Sequence, residues 1–135
     1  MSSGDPRWSE PKRTRVSVRH KDRHVGYLTT VGYPNRDLAA FPEGTPYTEF
    51  VVSDLTDRHV ALFQRFKQHW LVHCGGEYAT TAVGGELTTD QITKLAVFSL
   101  EHANTASDIL VAVLKAGVEK MLGATRPDSA KTERG

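Results

Sequence analysis

The sequence predicts an α+β fold, with an N-terminal β-hairpin, further strands, a middle helix and a long C-terminal amphipathic helix. Between residues 15 and 31, apolar side chains alternate with polar ones, which is the period of a β-strand. From residue 55 onward, apolar side chains recur every three or four residues, which is the period of a helix. The chain has 135 residues, of which 39% are hydrophobic, and this size fits one globular domain.

The hairpin is predicted from two alternating segments, residues 16–18 and 25–31. The polar stretch between them, residues 20–24, has the composition of a turn. Residues 32–47 contain three prolines and two glycines, so we expect a long loop there. Residues 47–52 are rich in β-branched and aromatic side chains, which predicts a third strand.

The middle helix is predicted over residues 54–73. Apolar, aromatic and histidine side chains fall there at helical spacing, namely Leu55, His59, Leu62, Phe63, Phe66, Trp70 and His73. Ser53 suits the N-cap, and the glycine pair at residues 75–76 suits the end. A pair of strands over residues 60–74 is the alternative, because its aromatic residues also suit a sheet. A short strand is predicted over residues 77–83.

The long C-terminal helix is predicted over residues 88–122. Thr88 and Gln91 have the spacing of a capping box, and Leu87 and Ile92 have that of a hydrophobic staple. Neither glycine nor proline occurs between residues 87 and 116, so an unbroken helix would reach about 50 Å. The alternative is a tight helical hairpin with its turn at residues 104–107, where Thr105 resembles a second cap.

Three segments are expected: a flexible basic arm over residues 1–13, a single α+β domain over 14–122 and a flexible tail over 123–135. The two ends are too polar to repay the entropy of ordering. The net charge of +1 gives a weak overall field. No apolar run has the length of a membrane span, so no membrane partner is expected. The N-terminus lacks a signal-like apolar stretch, and Cys74 is the single cysteine, so we predict a cytoplasmic protein.

Self-association through the C-terminal helix is predicted from its stripe of small side chains. Ala96, Ser99, Ala103 and Ala106 allow a second helix to approach closely, and a 50 Å helix overhangs a sheet of ordinary size. The alternative is that this helix packs wholly within its own chain. The leading hypothesis is a non-catalytic homo-oligomeric binding protein, regulatory or sequestering, whose ligand is a small anion or another protein.

The candidate anion-binding residues combine guanidinium groups with aromatic rings from the hairpin and the long loop. They are Arg19, Arg23, Tyr33, Arg36 and Tyr47. Loops of this length often carry function, although such a loop can also simply pin itself to the core. A second hypothesis is a nucleic-acid-binding module, because basic residues are concentrated in the arm and the hairpin.

Catalytic motifs are missing from the sequence. There is no nucleophile elbow, phosphate-binding glycine loop or dinucleotide fingerprint, which argues against several large enzyme classes. His69 and His73 have the i, i+4 spacing of metal ligands on a helix, next to Cys74, but no further motif residue accompanies them. We therefore predict no metal, cofactor or catalytic residue. A small enzyme with an active site shared between subunits is the third hypothesis.

Overall fold

A computed structural model describes residues 12–32, 48–66 and 68–124 as one antiparallel sheet and two helices. The strands lie in chain order: β1 (Lys12–His20), β2 (Arg23–Gly32), β3 (Thr48–Ser53), β4 (His59–Arg65), β5 (Trp70–Cys74) and β6 (Glu77–Thr80). The helices α1 (Thr89–Glu101) and α2 (Ser107–Ala124) follow. The predicted α+β class is confirmed, including its N-terminal hairpin, further strands and two helices.

The hairpin turns over two residues, Lys21 and Asp22. Their φ angles are 54° and 65°, so both adopt the left-handed conformation of a tight type I′ hairpin turn. The neighbouring strands twist in the sense that this turn requires, which explains why two non-glycine residues accept an unfavourable conformation. β1 begins at Lys12, inside the segment that we expected to be an arm.

The position predicted for the middle helix, residues 54–73, is wrong. These residues form β4, β5 and the turns beside them, which is the alternative considered from the sequence. Trp70, Val72 and Cys74 are buried at every second position of β5, and Ala61 and Phe63 do the same in β4, where Val60 is also buried beside a register shift. The residues assigned to one helical face come from both sides of the sheet, because Leu62 and Phe63 are neighbours on β4 and point in opposite directions.

Asp54 explains why the start of this segment resembled a helix. Its carboxylate accepts hydrogen bonds from the backbone N–H groups of Thr56 and Arg58, both at 2.9 Å, and from the Thr56 hydroxyl at 2.7 Å. The Thr56 hydroxyl and then the Arg58 N–H hold the pKa of this carboxyl below its ordinary value. Side chains that cap helices make the same bonds in turns, so the pattern alone does not distinguish them.

The C-terminal helical segment begins where we predicted. The capping box is present: the Gln91 N–H donates to the Thr88 hydroxyl, and the Thr88 N–H donates to the Gln91 side chain. The helix is not continuous, because α1 ends at Glu101 and α2 begins at Ser107. The helical hairpin is therefore correct and the single 50 Å helix is wrong. Two shorter helices bury their apolar sides on the sheet, whereas one long helix would overhang it.

Both helices pack on one side of the sheet. α1 contacts β1, β2, β3 and β4, whereas α2 contacts β5 and β6. Along α2, Ser107 lies near Gly75, and Leu122 lies near Gly85, so this helix runs back along the last two strands. The largest fully buried side chains are Trp70, Phe63, Leu114 and Leu122. No helix within the described ranges has both the length and the apolar character needed to cross a membrane.

The linker between β6 and α1 is held against the sheet by the side chain of Trp70. The indole Nε1–H of Trp70 donates to the Gly85 carbonyl at 3.0 Å, and the guanidinium of Arg65 donates to the same oxygen. Arg65 also contacts the Glu86 carboxylate at 3.0 Å. These hydrogen bonds and this ion pair anchor the entry to α1.

Candidate interaction surfaces

The solvent-facing side of α2 carries an apolar stretch between the exposed Asp108 and Lys120. Ile109 and Val113 lie one turn apart with 56% and 45% of their surface exposed. Ala112 and Ala116 are also exposed and lie between or beside them at helical spacing. The opposite side of α2 carries buried residues, which are Leu110, Val111, Leu114, Val118 and Leu122. The middle of α2 is thus apolar on its outer side as well, whereas a surface helix ordinarily has a polar outer face. We call the exposed set Ile109, Ala112, Val113 and Ala116 the α2 patch.

Part of the small-residue stripe predicted for self-association is used within the chain. Ala96 and Ser99 are fully buried in the core, and the Ser99 hydroxyl donates to the Leu95 carbonyl at 2.8 Å. A Cβ atom at Gly117 would lie 3.5 Å from Leu95, so the two helices approach closely at this glycine. These members of the stripe therefore pack within the chain, whereas Ala103 is half-buried and Ala106 is exposed.

The β1–β2 hairpin carries a concentrated positive charge. Residues 12–32 contain six basic residues and one acidic residue, a net charge of +5, whereas residues 48–124 have nine acidic and six basic residues, a net charge of −3. All six basic side chains are exposed, and they are Lys12, Arg13, Arg15, Arg19, Lys21 and Arg23. The weak overall net charge therefore conceals a strong separation of charge within the fold.

Arg15 of this basic surface contacts both an aromatic ring and a carboxylate of its own chain. The Arg15 guanidinium lies 3.8 Å from the centre of the Tyr27 ring, and it also pairs with the Asp57 carboxylate at 2.9 Å. The ring of His24 meets the edge of Tyr27 at a centroid distance of 4.9 Å. One face of Tyr27 is thus covered by a cation of its own chain, which leaves less of the ring for stacking on a base.

The predicted anion-binding residues divide into two groups. Arg19 and Arg23 are exposed beside the hairpin turn, where an Arg19 guanidinium nitrogen donates to the Asp22 carbonyl at 3.0 Å. The predicted loop leaves the sheet at Gly32, about 30 Å from Arg23 along β2. Tyr33, Arg36 and Tyr47 lie outside the described residues. A shared pocket for all five residues therefore stays a prediction.

His69, His73 and Cys74 do not share a helical face. His69 stacks on Phe66 at 4.8 Å in the β4–β5 turn, whereas His73 and Cys74 are neighbours on β5 and point to opposite sides of the sheet. Cys74 is 2% exposed, and burial raises the pKa of its thiol to about 11. Among the residues that the structure describes, no three His, Cys, Asp or Glu side chains cluster as metal ligands do.

A row of polar side chains crosses the side of the sheet that lies opposite the helices. The Gln64 amide donates to Glu49 at 2.6 Å, and its oxygen lies 3.0 Å from Nε2 of His73. Tyr78 follows on β6, directly opposite His73 in the strand register and 67% exposed. We call this side of the sheet the open side. The sequence prediction missed the row, because a helix over residues 54–73 separates residues that the strand register brings together.

The described surfaces thus comprise an apolar helix patch, a basic edge hairpin and a polar row on the open side of the sheet. Comparison of the chain with protein-family models, with curated proteins and with solved structures finds no match.

Proposed function

We propose that the protein is a non-catalytic binding protein that assembles with a second copy of itself through the α2 patch. The observation that carries this proposal is the exposure of Ile109 and Val113 one turn apart on a helix whose other side is already buried. Full burial of a branched apolar side chain contributes about 1.5–3 kcal/mol, and about half of each side chain is already covered, so an interface gains about 1 kcal/mol from each.

A second copy is the partner that suits this patch. Two copies related by a two-fold axis present the same surface to each other, so each apolar residue is covered without any other protein. Ala112 and Ala116 are small, which permits the two helix axes to approach to about 8 Å. A patch of one helix is smaller than an ordinary interface, so the contact is expected to include neighbouring parts of the helical layer.

Binding rather than catalysis is supported by the state of the most reactive side chains. The Cys74 thiol is buried with a raised pKa, so very little of the thiolate nucleophile is present at neutral pH. The His73 ring contacts Gln64 rather than a nucleophile. The single buried thiol is also in keeping with a cytoplasmic setting, which we include in the proposal.

The assembly is tested by light scattering coupled to size-exclusion chromatography across micromolar concentrations. The chain mass is 14.9 kDa, and the expected species has twice that mass. Val113→Glu is expected to yield monomer, because a desolvated carboxylate opposes closure of the interface. Val16→Glu is the matched control, since Val16 is 50% exposed on β1 and lies outside the α2 patch.

Circular dichroism spectra of both variants check whether each keeps the wild-type fold. A wild-type chain that is monomeric at every concentration contradicts the proposed assembly. Equal dissociation by Val113→Glu and Val16→Glu contradicts the assignment of the interface to α2. An interface on α2 alone predicts that Val16→Glu stays dimeric.

A further inference from the structure

β1 is an exposed edge of the sheet. Among the described strands it pairs only with β2, and residues 12–17 are exposed on both sides of the sheet. Val18 is the single buried residue of β1. An edge strand presents backbone N–H and C=O groups that no neighbouring strand satisfies. The exposed stretch spans about 20 Å, which is the length of an ordinary β-strand.

The two sides of this edge differ in chemistry. Val16 is opposite the buried Leu28 in the register and therefore lies on the helix side of the sheet, where 50% of its surface is exposed. Arg13 and Arg15 alternate with it and lie on the open side. A strand added to this edge meets an apolar side chain on one side and guanidinium groups on the other.

The charge of the edge is not neutralised by its own sheet. In the register, Lys12 lies opposite Gly32, and Arg13 lies opposite Val31, so neither has an acidic neighbour on β2. Among the described contacts of residues 12–17, one joins a basic side chain to a carboxylate, and it is the pair of Arg15 with Asp57. Like charges on directly opposing strands destabilise a pair, whereas opposite charges stabilise it. The edge therefore disfavours basic strands and favours acidic ones.

We infer that β1 binds an extended acidic segment of a partner protein, which adds to the sheet as a seventh strand. Backbone hydrogen bonds along the edge provide affinity, and the alternating side chains provide selection. Carboxylates of the segment face Arg13 and Arg15, and an apolar side chain faces Val16. This inference rests on the proposed binding role and names the partner, but it does not depend on assembly through α2.

A nucleic acid fits the same charges less well. Lys12 and Arg13 lie on opposite sides of the sheet, so one polyanionic strand passing over either side leaves part of the charge unused. The Tyr27 ring is already covered on one face by Arg15. An added β-strand, by contrast, directs its side chains to both sides and also uses the unpaired backbone groups.

The test is a fluorescence anisotropy titration with three labelled probes at low ionic strength. The first is a short capped peptide of alternating Glu and Val. The second is its fully N-methylated form, which keeps every charge but donates no backbone hydrogen bond. The third is a single-stranded oligonucleotide. The first probe is expected to bind, and N-methylation is expected to weaken binding by about tenfold or more, because several backbone hydrogen bonds are lost.

Protein variants locate the binding surface. Arg13→Gln is expected to weaken peptide binding by about threefold, since its guanidinium faces the carboxylates of the peptide. Lys120→Gln is the control, because it removes an exposed charge from α2. The dimer-breaking variant Val113→Glu is expected to bind the peptide as the wild type does, so a failure of assembly and a failure of strand addition are separate results.

Three outcomes overturn the inference. Equal binding of the peptide and its N-methylated form shows that charge alone is recognised and no strand is added. Tighter binding of the oligonucleotide than of the peptide assigns the edge to a nucleic acid. Binding of no probe shows that the basic residues only protect the edge from pairing with other chains, as charged residues do on many edge strands.

Discussion

Gly26 lies on β2 at a point where the third strand and α1 leave no room for a side chain. A Cβ atom at this position would lie 2.3 Å from the Ser53 carbonyl oxygen and 2.8 Å from a methyl group of Leu100. Leu100 can change its rotamer, but the carbonyl belongs to the backbone of β3. Gly26→Ala therefore requires β2 and β3 to separate, or the end of α1 to move away from the sheet.

The expected change in the unfolding free energy of Gly26→Ala is the sum of two opposing contributions. Overpacking costs about 1–3 kcal/mol, and the upper end applies here because one obstacle is backbone. Alanine loses less backbone entropy on folding than glycine does, which stabilises the folded state by about 0.5–1 kcal/mol. The net loss is about 2 kcal/mol of unfolding free energy, which lowers the melting temperature by about 10 °C for a domain of this size.

Gly32→Ala is the matched control. Gly32 lies on the same strand, and a Cβ atom there has no neighbour within 4 Å. This variant is expected to be as stable as the wild type or more stable by about 0.5 kcal/mol. Thermal and urea unfolding of both variants measure the difference. Equal melting temperatures for the two variants would refute the packing of Leu100 and Ser53 around Gly26.

Two further predictions concern the hairpin turn and the buried thiol. Asp22→Gly is expected to raise the unfolding free energy by about 0.5–1 kcal/mol, because the φ of 65° at Asp22 suits glycine. Urea unfolding of the variant measures this change. A loss of stability contradicts the turn geometry. Cys74 is expected to resist a thiol reagent at pH 8 in the folded protein and to react once urea unfolds it. Its raised pKa favours the folded state below pH 9, and this contribution is lost as the pH rises towards 11. Urea unfolding across that range should therefore show a smaller loss of stability for Cys74→Ala than for the wild type, and equal losses would contradict burial of the thiol.

Local hydrogen bonds explain both the success at Thr88 and the error at Asp54. At Thr88 the capping signal is reciprocal, and a staple residue accompanies it, so two independent features indicate a helix. At Asp54 a single side chain bonds to the following N–H groups, which occurs in turns and in helices alike. The segment after it contains aromatic residues that suit either period, so local pattern alone did not decide its structure.

Local sequence pattern was also insufficient to predict how the candidate site residues are arranged in space. Arg19 and Arg23 were recognised from charge and are exposed as expected, but the row from Glu49 through Gln64 to His73 depends on strand register. Register is set by pairing between distant segments, and a shift of one residue moves every side chain to the other side of the sheet. The predicted small-residue stripe likewise gained its role only when α1 and α2 folded back on each other.

The sequence by itself determined the α+β class, the N-terminal hairpin, the start of α1 at Thr88 and the excess of basic residues near the N-terminus, because periodicity, capping and charge are local properties. Only the tertiary structure decided that residues 59–65 and 70–74 are strands, that the C-terminal helical segment divides into two, and that Ile109 and Val113 remain exposed. Either a sheet or a helix can provide hydrogen-bond partners for the backbone N–H and C=O groups of such segments. The choice between them depends on which arrangement buries the most apolar surface against the rest of the chain.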